Sequence, residues 1–208
     1  MSTEAPVQPT KPATPRGGDK VGIVVVGASA GGLRALETIL GAIPTGFPVP
    51  IVAVQHRARE STDAFAEVLS RGTTLPVREV EDEDPLRAPG VYIAPPDYHV
   101  LIEPGRLALS VDDPVSFSRP SIDVLFESAA DAYGPAVLAV LLTGANADGA
   151  KGMARVKQAG GIAIVQDPHT AESPEMPAAA IALAPVDRVL PLVEIGAEIV
   201  RMVRSVSP

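Results

Sequence analysis

VGIVVVGASAGGLRALETILGAI, residues 21–43, joins an unbroken apolar run to a glycine-rich turn and then to an amphipathic repeat. A β-branched run without polar alternation marks a strand buried on both faces, as in parallel sheets. Leu33, Leu36, Ile39 and Leu40 return at helical spacing, so the unit reads strand, turn, helix. Outward from it the alternation continues, with PIVAVQH (50–56) as strand, STDAFAEVLSRG (61–72) as helix and LPVREV (75–80) as strand. GVYIAPPDYHVLIEPGRLALSV (90–111) then holds three short runs parted by Pro-Pro-Asp and Pro-Gly. They are expected to be antiparallel strands, with a hairpin around Pro104-Gly105.

Beyond them the pattern resumes with SIDVLFESAADAYG (121–134, helix), AVLAVLLTG (136–144, strand), DGAKGMARVKQAGG (148–161, helix) and IAIVQD (162–167, strand). PEMPAAAIALA (174–184) and PLVEIGAEIVRMVRSV (191–206) read as a short helix and a closing surface helix. The expected fold is α/β: a doubly wound, mostly parallel sheet with helices on both faces and a small antiparallel β insertion. Residues 1–19 are rich in Pro, Thr and Gly and read as a disordered tail, leaving 20–208 as one catalytic domain.

The 208 residues contain no cysteine, which removes disulfides, thiolate nucleophiles and Cys-based metal sites. Three scattered histidines give a metal centre little support, and no cofactor is expected. A net charge of −8 and 3% aromatic content argue against nucleic acid as partner. No apolar run approaches the roughly 18 residues of a membrane span. The N-terminus lacks an apolar signal region. Cytoplasmic location without direct membrane insertion is the expectation.

The chemistry begins at Gly27-Ala28-Ser29-Ala30-Gly31, a G-x-S-x-G turn between strand and helix, the setting of a nucleophile elbow. Serine is also a preferred N-cap, so Ser29 alone is ambiguous. A dinucleotide site competes for the same loop. However, the glycine spacing differs from G-x-G-x-x-G, and the second strand ends in Gln55-His56 without an acid for the ribose. His56 leaves the next strand at the same edge. Neighbouring parallel strands lie about 4.8 Å apart, which brings a serine and its general base within reach. Asp148 follows the most apolar strand and serves either as N-cap of the next helix or as the carboxylate that orients an imidazole. All three residues fall at carboxyl ends of strands, where open α/β sheets bind ligands. His99 and His169 sit in loops or insertions with weaker claims.

At these positions the chain resembles the catalytic domain of the CheB-type protein-glutamate methylesterases of bacterial chemotaxis. The resemblance runs from Val21 to about Val200, through GASAGGLRAL, VAVQH, GVYIAPPDYHVLI, SRPSIDVLFESAA, LLTGANADGAKGM and QDPHTAESPEMPAAAI. It implies a triad of Ser29, His56 and Asp148, and hydrolysis of glutamate γ-methyl esters on cytoplasmic chemoreceptor helices. It also implies glutamine deamidation in some members and a paired methyltransferase as a further partner. Its chain order, Ser–His–Asp, differs from the order of ordinary α/β-hydrolases. The loop Thr143-Gly144-Ala145-Asn146 is the oxyanion and substrate loop the resemblance implies. Ala30, at the helix N-terminus after Ser29, is a second source of donors on physical grounds.

The chain departs from the family at Ala30 (usually Thr), at Ala145 and Asn146 (usually Met and Gly) and at Ser118 (usually His). An Asn146 in place of glycine would matter if that position needs a positive φ. Arg119 is a cleft residue by fold analogy alone. Many relatives carry an N-terminal receiver domain that residues 1–20 cannot form. Either phosphorylation control is absent, or the Pro-rich tail is the remnant of a linker. A second reading keeps the fold without turnover, as a module that binds receptors or a methyltransferase.

Overall fold

The computed structural model describes residues 21–57 and 64–204. The expected tail, residues 1–19, lies outside the described residues. The chain runs β1 (Ile23–Ala28), α1 (Gly32–Gly41), β2 (Ile51–Gln55), α2 (Ala64–Arg71), β3 (Val77–Glu79), β4 (Val91–Ile93), β5 (His99–Glu103), β6 (Arg106–Ser110) and α3 (Ile122–Tyr133). It continues through β7 (Val137–Leu141), α4 (Ala150–Gln158), β8 (Ile162–Gln166), α5 (Glu175–Leu183), β9 (Arg188–Leu190) and α6 (Leu192–Arg204).

Seven strands form a parallel sheet in the order β3-β4-β2-β1-β7-β8-β9. Side chains alternate across a strand, and here both faces are covered. Ile23 and Val25 of β1 enter a core built with Ile122, Leu125 and Phe126 of α3 and Met153 of α4. Val24 and Val26 enter the opposite core, with Leu36 and Ile39 of α1 and Ile195 and Ile199 of α6. From β1 the chain winds outward through β2 and later returns to place β7 on the other flank of β1. That reversal opens a crevice at the carboxyl ends of β1, β2 and β7, the place where such sheets bind ligands.

Two expectations need correction. Of the three runs read as antiparallel strands, the first is β4, a parallel strand held between β2 and β3. Val91, Tyr92 and Ile93 are all buried, as an interior strand requires, and their run lacks the alternation of a half-exposed strand. Only β5 and β6 form the antiparallel insertion, closed at Glu103–Arg106. Strand β9 was not anticipated. It is a three-residue edge with Arg188 and Val189 exposed, too short for a period to register. Among the described residues no helix is long and apolar enough to cross a membrane.

Helices α3 and α4 cross at Gly152, where an added Cβ would lie 2.6 Å from Phe126 Cβ and 3.0 Å from the Asp123 backbone. Alanine in a helix interior is ordinarily preferred to glycine by about 1 kcal/mol. Here the clash dominates, because overpacking costs about 1–3 kcal/mol and the opposing atoms include rigid backbone. Gly152→Ala is expected to lower the urea midpoint, against the helix-propensity trend.

Candidate active site

Ser29 sits one residue beyond β1, and its N–H donates to Thr143 O at 2.9 Å, tying the turn to the loop after β7. The helix cap is Gly31, not Ser29: Gly31 takes a left-handed φ of 77°, which leaves the serine side chain free. The register Ala28↔Gln55 leaves Ser29 and His56 each one residue past the last pair of β1 and β2. Gln55 Nε2 donates to Ser29 O at 2.7 Å and to His56 O at 3.0 Å, so one buried amide fixes both backbones. His56 N–H adds a bond to Ala28 O at 3.0 Å.

The side chains then line up. Ser29 Oγ lies 3.2 Å from His56 Nδ1, and His56 Nε2 lies 2.8 Å from Asp148 Oδ2. A carboxylate only accepts, so Nε2 carries the proton and Nδ1 is left to accept from the Ser29 hydroxyl. The arrangement is that of a nucleophile, a general base and an orienting carboxylate.

Asp148 is fully buried and does not cap α4, whose N-cap is Gly149. It caps α3 instead, accepting from Ile122 N–H at 2.7 Å and Asp123 N–H at 3.0 Å. Ser121 Oγ (2.8 Å) and Gly149 N–H (3.0 Å) complete its shell. Burial pushes this carboxyl up, but the His56 bond, the α3 N–H groups and the His56 charge outweigh it and hold the group below its ordinary value.

The capping is reciprocal. Asp123, in the first turn of α3, accepts from Gly152 N–H of α4 at 2.7 Å. Behind Ser121 stands His99, buried, whose Nδ1 accepts from Ser121 N–H at 3.1 Å while Nε2 donates to Asp113 O at 3.2 Å. His99 thus supports the Asp148 shell from behind without reaching Ser29.

Comparison with known proteins shows the family. Residues 24–199 match the CheB methylesterase family model. The chain belongs to the CheB methylesterase family. A Leptospira interrogans relative is 44% identical over 180 residues, covering 86% of this chain and 93% of that protein. The protein-glutamate methylesterase/protein-glutamine glutaminase 2 of Anaeromyxobacter dehalogenans is 45% identical over 88% of this chain, which spans 54% of its length. The crystal structure of the Thermotoga maritima CheB methylesterase catalytic domain superposes with a TM-score of 0.83, at 36% identity over 86% of this chain and 97% of that one.

Within this CheB methylesterase fold, the loop after β7 is held by Thr143. Its Oγ1 donates to Ala30 O at 2.8 Å and accepts from Ser173 N–H at 2.9 Å. Gly144 N–H is already committed to Ser173 O at 3.0 Å, so its part in the loop is steric: an added Cβ would meet Met176 Cε at 2.4 Å and Ser29 Cβ at 2.9 Å. Among the described residues, the N–H groups of Ala30 and Ala145 meet no protein acceptor. Asn146 is not in the positive-φ region, and its Oδ1 accepts from Asp148 N–H at 3.1 Å, shaping the approach to the buried carboxylate.

Arg119 does line the cleft, as fold analogy suggested, but its guanidinium is spent on Asp97 and on the carbonyls of Val111 and Asp112. His169 is exposed and bonds to Asp167 of its own turn. Among the described residues no three His, Asp or Glu converge as a metal would need. Sequence reasoning missed Gln55, Ser121 and Asp123, and it weighed His99 as a weaker, loop-borne candidate where the structure buries it behind Ser121. Only Ser121, a serine directly before a helical run, carried a local signal, that of an N-cap.

Burial pushes the Asp123 carboxyl up to about 6; the Gly152 N–H opposes the shift and the Asp148 charge adds to it. The folded state therefore holds this proton more tightly than the unfolded chain does. Stability from this group is full at low pH and is lost as pH rises from about 4 through about 6. The shift corresponds to at most about 3 kcal/mol, and solvent screening reduces it to about 1–2 kcal/mol. Asp123→Asn keeps an acceptor for Gly152 without the charge. It is expected to match wild type near pH 4.5 and to exceed it by that amount near pH 8, measured by urea unfolding at both pH values.

Proposed function

We propose that this chain is a serine hydrolase that demethylates glutamate γ-methyl esters on cytoplasmic chemoreceptor helices, in adaptation of chemotaxis. The observation that carries the reading is the continuous hydrogen-bond chain Ser29–His56–Asp148 at the carboxyl ends of three adjacent strands. The names of its relatives, protein-glutamate methylesterase and protein-glutamine glutaminase, support the same substrate class. On this reading the protein works in the cytoplasm, and a methyltransferase supplies the esters it removes.

Ser29 Oγ attacks the ester carbonyl while its proton passes to His56 Nδ1. The imidazolium so formed keeps its Nε2–H on Asp148, whose charge stabilises it and whose shell keeps the ring from turning. The tetrahedral oxyanion needs donors already in place. The free N–H groups of Ala30, directly after the nucleophile, and of Ala145 are assigned that role, each worth about 3–4 kcal/mol of barrier. Collapse expels methanol, which takes the proton back from Nδ1. Water, activated by the same nitrogen, then cleaves the acyl-enzyme and leaves a glutamate carboxylate. A glutamine side chain in the same position would release ammonia instead.

Methanol release from methylated receptor cytoplasmic fragments tests the proposal. Ser29→Ala is expected to reduce turnover by about 10⁴-fold or more. Asp148→Asn is expected to reduce it comparably, because an amide can present its N–H to His56 and select the wrong tautomer. Well-folded wild-type protein that releases no methanol from several fragments would overturn the reading.

A further inference from the structure

Beside the site lies a turn that the chemistry does not use. Val115 and Ser118 exchange both backbone hydrogen bonds, at 3.1 and 2.9 Å, so that Ser116 and Phe117 form a two-residue hairpin loop. Both residues are left-handed, with φ of 51° and 63°. This is the primed-turn geometry that asparagine and glycine fill with least strain. A phenylalanine is poorly suited to it, because its Cβ crowds the backbone at positive φ. Its ring is also fully in water, at 105% relative exposure. Backbone strain and an exposed aromatic coincide at one residue, and neither contributes to folding. Strain of this kind persists most often where a site needs it.

The place of the ring indicates the use. A cleft of about 580 Å³ opens at His56 and is walled by Arg57, Pro114, Phe117, Arg119 and Pro120. Both of its arginines are ion-paired, Arg57 through Nη2 to Glu79 at 2.6 Å and Arg119 to Asp97 at 2.8 Å, while Arg57 Nε and Nη1 are buried without a hydrogen-bond partner among the described residues. The lining is mixed: Asp97, Ser118 and the arginines are polar, and Pro114, Phe117 and Pro120 give it an apolar strip at the rim. An exposed aromatic at the rim of a cleft is the kind of residue that anchors a polypeptide partner.

We propose that Phe117 docks the substrate helix that carries the ester. An apolar side chain on the same face of that helix packs on the ring while the glutamyl ester lies at Ser29 and His56. The inference rests on the esterase reading above and names a specificity-determining contact for it. The occupant is the substrate polypeptide, because the cleft runs unbroken from the rim to the general base.

The test separates docking from chemistry. The Kd of a methylated receptor fragment is measured for Ser29→Ala and for the Ser29→Ala/Phe117→Gly double variant, where turnover plays no part. The double variant is expected to bind about tenfold more weakly. In the active background, Phe117→Gly is expected to raise KM for the fragment by a similar factor with little change in kcat. Phe117→Tyr, which keeps the ring, is expected to restore KM. Hydrolysis of p-nitrophenyl acetate, which has no flanking peptide, is expected to suffer far less than hydrolysis of the fragment.

Glycine also relieves the turn, so Phe117→Gly is expected to raise Tm by about 2–4 °C. Weaker binding by a more stable protein is an outcome that a merely structural role would not give. Fragment binding within twofold of the parent would overturn the proposal, as would equal losses on fragment and small ester. Self-association of the wild type that disappears in Phe117→Gly, with fragment affinity unchanged, would assign the ring to a second copy and also overturn it. Turnover that survives Ser29→Ala would instead sink the esterase reading, while the Kd comparison would still decide the docking contact.

Discussion

The Asp148 carboxylate has no exposure to solvent, and its two oxygens take hydrogen bonds from His56, Ile122, Asp123, Ser121 and Gly149. A buried charge without such partners would cost many kcal/mol or simply pick up a proton. The N-terminus of α3 resolves this, since its first N–H groups need an acceptor and its dipole favours an anion. The helix and the carboxylate therefore satisfy one another. The loop after β7 must bring Asp148 to the start of α3, and α3 is held there by Ile122, Leu125 and Phe126 in the core. Asp123 returns the favour to α4 through Gly152. The crossing of two helices, closed by two carboxylates, is thus what holds the His56 imidazole oriented beside Ser29 Oγ.

The rest of the site follows from sheet register and from a few buried polar side chains. Strands β1 and β2 end in step, so Ser29 and His56 emerge as neighbours without any special device. The turns beyond them are less determined, and polar groups hold them. Gln55 bonds two carbonyls at once, and Thr143 bridges the elbow to the loop at Ser173. Gln166 in turn receives Thr143 N–H at 2.9 Å. In the low dielectric beneath the cleft such networks are rigid when complete, which is what a preorganised site needs.

Asn146 and Ala145 are accommodated without positive φ. Asn146 keeps an ordinary φ and uses its side chain to shape the turn before Asp148. Ala145 keeps its backbone donor free. Among the described residues, positive φ outside glycine occurs at Glu83, Asp97, Ser116 and Phe117, and not at Ser29, His56 or Asp148.

Much of this was legible in the residues alone. The unbroken apolar runs of β1, β2, β7 and β8 announce strands buried on both faces, and the leucines of α1 announce its packed side. These are local patterns, so Ser29, His56 and Asp148 could each be placed at a strand end before any tertiary contact was known. β4 was misjudged because neighbouring Pro-Pro-Asp and Pro-Gly breaks suggested hairpins, whereas its pairing depends on two strands distant in sequence. What only the tertiary structure decided is who bonds to whom. Asp148 looked like the cap of its own helix and proved to cap α3, more than twenty residues earlier. His99 and Asp123 carry no local signal for their roles, because their partners lie 22 and 29 residues away. Propensity and periodicity act along the chain, and the sequence determines them by itself. Hydrogen-bond partners across helices exist only once the core has set the distance between those helices.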